Sequence, residues 1–561
     1  MQQSLPQWLG AARWSISLVA AAMIACPAMG AVDDFAWARA FSGTTQGVGT
    51  ANAVDAEGNV YTTGFFEGTV DFDPGITTFP LTALGSMDVF VSKLDKDGAF
   101  LWARAFRGAG SNEAWDIAVD GAGNAYIVGN FQADMEVSTG PSAFRLTATG
   151  ISDMFVVKLD TNGGFVWARA FGGSGAERGW GIALDAGGRV HVAGDFEGTV
   201  DFDPGPGLAE LTATATERNA VFQLDPDGNL NWARRMGGAM PGFGAPGGTI
   251  AVDGEGYVYT TGHFSGTADF DPGPGTFELT DPGFGSAFVA KLDASGEFVW
   301  ARAIESSDFA VGYAVAVDGR GDVHVTGAFS GITDFDPGPQ TFILTSQGDT
   351  EIFVLKLDTD GEFVWARRMT GVGFTGFDAG LGIALDDDGN VFTTGYFEGS
   401  TYFDPGVDSI RLESAGDRDA FVSVLDATGA FVASGSFSGL QECAGLGIAL
   451  DPAGNVHVTG YFFGSADFDP GNGVLTLTAA AFRDIFAVKL GTNELSAPVI
   501  PEEINGDGEV NAVDVQLVIN AALGIPIPVG LTADINADGL VNAVDVQLVI
   551  VAALGLSSDD D

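Results

Sequence analysis

The chain repeats a set of four short apolar runs in which β-branched and aromatic residues dominate. One set reads GIALD at 181–185 and VHVAG at 190–194, and the preceding pair reads FVVKLD at 155–160 and FVWARAF at 165–171. Several runs alternate apolar and polar positions, and helical periodicity is absent from this region, so the runs predict strands. Turns of the form Asp-x-x-Gly, such as 55–58, join neighbouring runs. Because Asp caps such a turn and Gly accepts its left-handed position, the pairs are predicted to be hairpins.

The tripeptide WAR marks the period of this pattern. It occurs at Trp37, Trp102, Trp167, Trp232, Trp300 and Trp365, and a degenerate seventh copy lies at Ala433. Four antiparallel strands in each of seven units predict an all-β fold, a seven-bladed β-propeller over residues 34–491. The period exceeds the usual blade of about 40–50 residues. The excess lies between the second and third strands and predicts an additional hairpin at a rim or edge.

The repeat resembles the SBBP-type β-propeller repeat family. Segments of the NVYTTG type at 59–64, 390–395 and 455–460 carry the resemblance, together with Ser286–Asp293 and Gly296. The resemblance covers roughly residues 34–491. It implies the fold and says little about activity, because one fold hosts many functions.

The two ends of the repeat region are offset in a way that predicts ring closure. A fourth-strand copy, 35–41, precedes every complete blade, and none follows the last third strand at 485–490. We expect these two segments to pair in the seventh blade, with Trp37 near Phe486, because pairing satisfies the backbone groups of an open edge. The WAR tryptophans are expected between blades, with the following arginines facing the acidic surface.

The DFDPG motif is the main candidate for chemistry within the repeats. Its paired acids are Asp71 and Asp73, Asp201 and Asp203, Asp269 and Asp271, Asp334 and Asp336, and Asp467 and Asp469. Either each motif is a tight turn capped by Asp, or its two carboxylates share a calcium ion with turn carbonyls. Five equivalent copies argue against a glycosidase acid pair, because an active site is normally single.

The four histidines favour packing over catalysis. His191, His324 and His457 share a repeat position with Tyr61, Tyr126, Tyr259 and Phe392. An aromatic-packing role explains all of these residues, and His263 alone is unmatched. No nucleophile elbow, phosphate loop or zinc spacing is found. Tyr396 and Tyr461 are either sugar contacts on a rim or scattered exposed aromatics.

The C-terminal segment contains two calcium-loop patterns, each followed by an apolar helical run. The second loop offers Asp534, Asn536, Asp538, the Leu540 carbonyl and Asp545, and the first offers Glu503, Asn505, Asp507, Glu509 and Asp514. Asp, Asn and a closing carboxylate at positions 1, 3, 5 and 12 are the oxygen ligands that calcium prefers. NAVDVQLVI occurs identically at 511–519 and 542–550. The tail is predicted to be a small α-helical module over 503–556, after a linker at 492–502.

These paired loop-helix units resemble type I dockerins over about residues 501–556. The resemblance implies calcium as the cofactor and a cohesin module as the partner. By the resemblance, Ala512, Val513, Ala543 and Val544 help to choose that cohesin. Glu503 departs from the Asp expected at position 1, which makes the first site the weaker one. The alternative is an isolated calcium-stapled helix pair without a cohesin.

Net charge and the N-terminal segment limit the partner classes and the cellular location that we expect for this chain. With 24 Lys and Arg against 74 Asp and Glu, the net charge is -50, which repels nucleic acid and anionic lipids. Residues 1–30 read as a secretory signal whose apolar run is too short to span a membrane. Cys26 leaves a lipoprotein alternative open. After cleavage only Cys443 remains, so no internal disulfide is expected.

These features favour a secreted, non-catalytic binding or scaffold protein. The propeller would present a binding rim to a glycan or protein, and the tail would attach it to a cohesin or cell surface. The alternative is a component of an extracellular polysaccharide-degrading complex, either a glycoside-acting enzyme or a carbohydrate-binding propeller. No blade adds clustered acids or histidines of the kind that catalysis needs.

Overall fold

The computed structural model describes residues 35–138, 143–238, 249–371, 376–404, 411–471, 473–480 and 482–491. These residues form 42 strands, numbered β1 to β42 in chain order, and contain no α-helix. Within these ranges no segment has the helical length and apolar character of a membrane span. The all-β, seven-bladed propeller expected from the repeats is confirmed.

Each blade is an antiparallel sheet of four strands. The first strands are β2 (Gln46–Val54), β8 (Asn112–Val119), β14 (Arg178–Leu184), β20 (Ile250–Val252), β26 (Phe309–Val317), β32 (Ala379–Leu385) and β38 (Cys443–Leu450). The second strands are β3 (Val60–Glu67), β9 (Ala125–Phe131), β15 (Val190–Asp195), β21 (Val258–Phe264), β27 (Val323–Ser330), β33 (Val391–Phe397) and β39 (Val456–Phe462). The third strands are β6 (Asp88–Leu94), β12 (Asp153–Leu159), β18 (Asn219–Leu224), β24 (Ser286–Leu292), β30 (Glu351–Leu357), β36 (Asp419–Leu425) and β42 (Asp484–Leu490). The fourth strands are β7 (Phe100–Gly108), β13 (Phe165–Phe171), β19 (Leu230–Met236), β25 (Phe298–Ser306), β31 (Phe363–Gly371), β37 (Phe431–Gly439) and β1 (Phe35–Gly43).

Burial explains why these runs are strands. Second and third strands are buried along almost their whole length, because each lies between two neighbouring blades. The first strand bulges between Gly49 and Ala51, where a Cβ on Gly64 would lie 2.0 Å from the Val48 carbonyl oxygen. The Asp-x-x-Gly turns are also as predicted: Gly58 has φ +81°, and Asp55 accepts hydrogen bonds from the turn backbone.

The inserted segments form seven short hairpins. They are β4 (Thr69–Asp71) with β5 (Pro80–Thr82), β10 (Asp134–Glu136) with β11 (Arg145–Thr147), β16 (Thr199–Asp201) with β17 (Glu210–Thr212), β22 (Thr267–Asp269) with β23 (Glu278–Thr280), β28 (Ile332–Asp334) with β29 (Ile343–Thr345), β34 (Ser400–Tyr402) with β35 (Arg411–Glu413), and β40 (Ser465–Asp467) with β41 (Thr476–Thr478). Five of them extend the sheet of the preceding blade, as β4 does by pairing Asp71 with Ser42 of β1. The predicted extra hairpin is confirmed, and in these five cases it covers a sheet edge that would otherwise be open.

The ring closes by pairing its two ends. β1 runs antiparallel to β42, with Ala40 opposite Phe486 and Trp37 opposite Lys489. β4 then adds to the outer side of β1, so the seventh blade contains strands from both ends of the repeat region. The predicted closure is confirmed.

The WAR motif joins each fourth strand to the next blade. Trp37 Nε1 donates to the Lys96 carbonyl at 3.1 Å, and Arg39 Nε donates to the Gly98 carbonyl at 3.0 Å. The Arg39 guanidinium lies over the Trp37 ring, 5.4 Å from its centroid. Equivalent bonds form from Trp102, Trp167, Trp232, Trp300 and Trp365. The expected pairing with surface acids is found at Arg234 with Glu297 and at Arg302 with Glu362. In all six copies the arginine also donates to backbone carbonyls of the next turn.

Candidate functional site

The DFDPG acids cap a turn at the outer perimeter. Asp71 Oδ1 accepts from the backbone nitrogens of Asp73 at 3.1 Å and Phe79 at 2.7 Å, and Asp73 Oδ1 accepts from Gly75 at 2.9 Å. The residue between the acids, Phe72, is fully buried. The same bonds recur at Asp201, Asp203, Asp269, Asp271, Asp334, Asp336, Asp467 and Asp469. This is the geometry of the turn interpretation.

The surroundings of these acids do not favour a cation. A groove of about 470 Å³ beside Asp269 and Asp271 is also lined by Arg234 and Arg235. Arg235 pairs with Glu217 at 2.8 Å. Across the described ranges, no group of three or more His, Cys, Asp or Glu side chains is arranged to hold a metal ion. The calcium alternative for the DFDPG motif stays a prediction.

The three repeat-matched histidines pack as aromatic rings. His457 lies 6.0 Å from Trp37, and His191 and His324 contact their tryptophans at 6.2 and 6.1 Å. Tyr61, Tyr126 and Tyr259 make the same contact. Burial lowers the pKa of all three histidines, that of His324 to about 4. These rings are therefore buried core groups that are neutral near pH 7.

The calcium-loop residues of the tail lie outside the described residues. Asp534, Asn536, Asp538, Leu540, Asp545, Glu503, Asn505, Asp507, Glu509, Asp514, Ala512, Val513, Ala543 and Val544 all fall in this part of the chain. Their assignment rests on the pattern of oxygen donors, which suits a hard cation.

A different site gathers around the ring axis, where the blades differ from one another. We call it the axial face and define it by the starts of the first strands and the ends of the second strands. Val48, Val311, Ala379 and Ala444 from four blades join one buried cluster there, and half-buried aromatic rings pack against it. The rings are Phe65, Phe309, Tyr313, Tyr396 and Tyr461.

One repeat position on this face has a different side chain in almost every blade. From the first to the seventh blade it holds Phe65, Asn130, Asp195, His263, Ala328, Tyr396 and Tyr461. Residues that stabilise every blade alike recur in every blade, whereas these do not. This position therefore does not serve one structural role shared by all seven blades.

Blades two and three supply the polar side of the axial face. Trp115 Nε1 donates to Asn130 Oδ1 at 2.6 Å, and Asn130 Nδ2 donates to Glu113 Oε2 at 3.3 Å. Trp180 Nε1 donates to Asp195, whose carboxylate also faces Arg178 at 3.4 Å. Burial raises the pKa of Asp195 above its usual range.

Blades six and seven supply the aromatic side. The Arg418 guanidinium lies 4.6 Å from the Tyr396 ring centroid, and that of Arg483 lies 4.4 Å from the Tyr461 ring. Tyr461 donates its hydroxyl to Glu442 Oε1 at 2.5 Å, and burial together with this carboxylate raises the tyrosine pKa. Both tyrosines could be recognised as candidates from the sequence, whereas the arginines were not predicted. The available signal was their departure from the residues at the same position in other repeats.

Comparison with known proteins matches the tail to a family model and the repeat region to several distant relatives. Residues 501–552 match the family model of the dockerin type I domain. The uncharacterized WD repeat-containing protein L264 of Acanthamoeba polyphaga mimivirus is 24% identical over 275 residues, 43% of this chain and 19% of that protein. Regulatory protein FlaEY of Caulobacter vibrioides is 26% identical over 189 residues, 32% of this chain and 20% of that protein. The chain spans about a fifth of the length of these curated relatives.

Among solved structures, Sqt1 from Chaetomium thermophilum aligns over 80% of this chain and 85% of its own, with 11% identity and a TM-score of 0.35. The chain thus combines a seven-bladed β-propeller with a C-terminal dockerin type I domain. A dockerin type I domain binds calcium and implies attachment to a cohesin.

Proposed function

We propose that this chain is an exported, non-catalytic binding protein. Its propeller holds a ligand at the axial face, and its dockerin domain anchors the propeller to a cohesin in an extracellular complex. The observation that carries the proposal is the concentration of blade-specific side chains at the axial face. A residue that serves the fold recurs in seven equivalent places, whereas a single ligand needs one set of contacts that differ around the ring.

The chemistry of the axial face suits binding better than catalysis. Half-buried aromatic rings on one side and hydrogen-bonding groups on the other are the usual lining of a ligand site. Each axial carboxylate already has partners within its own blade, Glu113 with Asn130 and Asp195 with Trp180 and Arg178. A glycoside-acting enzyme needs two carboxylates free to reach the scissile bond.

The anchoring role rests on the tail. Asp534, Asn536, Asp538 and Asp545 would hold calcium in the second loop, with Asn505, Asp507 and Asp514 in the first. Bound calcium neutralises carboxylates that otherwise repel one another, so metal binding and folding of the tail are linked. Residues 1–30, which read as a secretory signal, support export, and calcium is available outside the cell.

The two halves of the proposal can be tested on the full chain. An immobilised type I cohesin should capture the protein in calcium and release it in EDTA. A glycan array should then give a signal that Tyr396→Ala lowers and Leu101→Ala leaves unchanged, because Leu101 is an exposed side chain of a fourth strand. Loss of the signal with Leu101→Ala alone would contradict binding at the axial face.

A further inference from the structure

An arginine precedes the third strand in three of the blades, and two of the three have carboxylate partners. Arg218 in blade three pairs with Glu197. Arg418 in blade six pairs with Glu398 at 3.0 Å and with Glu442 at 3.4 Å. Glu197 and Glu398 directly follow a core Phe near the end of the second strand, whereas Glu442 comes from the start of the next blade. The repeat thus has two positions that can neutralise this arginine.

Blade seven retains the arginine but loses both acids. The position of Glu398 is occupied by Phe463, and that of Glu442 is occupied by Gln46 from blade one. Backbone contacts fix Gln46 beside Arg483. The two residues form a parallel β-bridge, and the Gly47 nitrogen donates to the Arg483 carbonyl at 2.9 Å. The Gln46 side chain instead donates to Glu67 at 3.3 Å.

The Arg483 guanidinium is therefore left without a counter-charge. In the part of the chain that the structure describes, no carboxylate lies within ion-pair distance of it, and its buried Nε has no hydrogen-bond partner. Partly burying a charge without a partner is costly, and a bound carboxylate would remove that cost.

Aromatic rings surround the unpaired guanidinium. It lies 4.4 Å from the Tyr461 centroid and 5.1 Å from the Phe463 centroid. Phe482 packs edge-on against Phe463 at 4.9 Å, yet 62% of its surface is exposed. The site thus presents one guanidinium beside one open aromatic face.

We propose that Arg483, Tyr461, Phe463 and Phe482 form a subsite for the carboxylate of an acidic saccharide, a uronate. The guanidinium would bind the carboxylate through paired hydrogen bonds, and the sugar ring would stack on Phe482. This inference rests on the proposed function and assigns part of its site. A peptide is a poorer fit, because peptides commonly dock by adding a strand to a sheet edge, and the outer edge of the seventh blade is already paired with the β4–β5 hairpin.

The test is calorimetric titration of the full chain in calcium with trigalacturonate and with its methyl ester, which keeps the rings and removes the charge. Wild type should bind trigalacturonate more tightly than the ester. Arg483→Gln should weaken trigalacturonate binding about tenfold or more, the range for a lost charge-assisted pair. Phe463→Glu should do the same, because it restores the internal acid of blade six. Arg145→Gln, on the perimeter, should leave the affinity unchanged.

The outcomes separate this inference from the proposed function. Equal affinity for acid and ester, or undiminished trigalacturonate binding in both Arg483→Gln and Phe463→Glu, would overturn the uronate subsite while leaving axial binding intact. A tripeptide with a free C-terminal carboxylate that binds where trigalacturonate does not would also overturn it. Thermal melts of both variants establish that they fold. Arg483→Gln removes the cation and Phe463→Glu neutralises it, so agreement between them does not depend on a side effect of one substitution.

Discussion

The indole nitrogen of Trp37 donates a hydrogen bond to the Lys96 carbonyl, 3.1 Å away, across the joint between the seventh and first blades. The same bond forms at every other joint that has a WAR motif. The motif degenerates to Ala433–Gly435 in β37, the one fourth strand that faces blade seven. In blade seven the third strand ends at Leu490 and the fourth begins at Phe35, at the other end of the repeat region. Blade seven therefore has no turn between these two strands to which a tryptophan and an arginine of β37 could donate hydrogen bonds.

The Trp37 contact should contribute strongly to stability. Trp37→Ala removes a buried ring and a hydrogen bond at the joint where the chain ends meet, so the free energy of unfolding should fall by about 3–5 kcal/mol. Leu101→Ala, at an exposed fourth-strand position, should change it by less than about 0.5 kcal/mol. Urea unfolding followed by tryptophan fluorescence measures both. Equal effects would mean that the joint adds nothing to the ring.

The acids of the DFDPG turn should act mainly as hydrogen-bond acceptors. Asp71→Asn keeps an oxygen for the nitrogens of Asp73 and Phe79, whereas Asp71→Ala removes it and should cost about 1–2 kcal/mol. Thermal melts of the two variants provide the comparison. If the turns hold calcium, Asp71→Asn should be as harmful as Asp71→Ala, and EDTA should lower the melting temperature of the propeller transition.

The tail should depend on calcium through its second loop more than its first. Asp534→Ala removes position 1 of a loop that fits the pattern throughout, whereas Glu503→Ala alters a position that already departs from it. Cohesin capture of the full chain should therefore weaken more in Asp534→Ala. Calcium should also protect residues 501–556 from proteolysis. Equal protection in EDTA would show that the tail folds without metal.

Two buried acids should make the ring less stable as the pH rises. Burial raises the pKa of Glu177 and of Asp378 to about 7, with the nearby acids Asp153 and Glu351 adding to the shifts. Their folded pKa values lie above the unfolded ones, so this stabilisation is full below about pH 4–4.5 and is lost as the pH rises through 7. The buried histidines have the opposite sign, because their lowered pKa values remove stability as the pH falls below about 6.5.

Glu177→Gln isolates the acid contribution. It removes the ionisable group, so unfolding at pH 8 should require about 1–3 kcal/mol more than in wild type. The two proteins should converge below about pH 4, where the glutamic acid is mostly protonated in both the folded and the unfolded state. Exposed Glu210→Gln on a perimeter hairpin serves as the control. Parallel pH profiles for Glu177→Gln and wild type would rule out a raised pKa.

The local pattern of the repeats was enough to predict strands, turns and blade number. Alternation, Asp-x-x-Gly turns and the WAR period depend on residues close in the chain, and their sevenfold repetition reinforces each one. Even the pairing of β1 with β42 could be predicted, because it follows from counting strands. The dockerin type I domain at 501–552 could also be predicted, since ligand spacing within twelve residues defines its loop pattern, whereas its individual calcium ligands stay a prediction.

The axial face could not be predicted in the same way. Gln46 and Arg483 lie at opposite ends of the repeat region, and only ring closure brings the start of β2 beside the segment before β42. Likewise, the sequence predicted the inserted hairpin but not that it covers the preceding blade. The sequence by itself determined the elements that repeat, because local contacts form them. The tertiary structure decided which non-repeating residues meet, because that depends on how seven blades close around one axis.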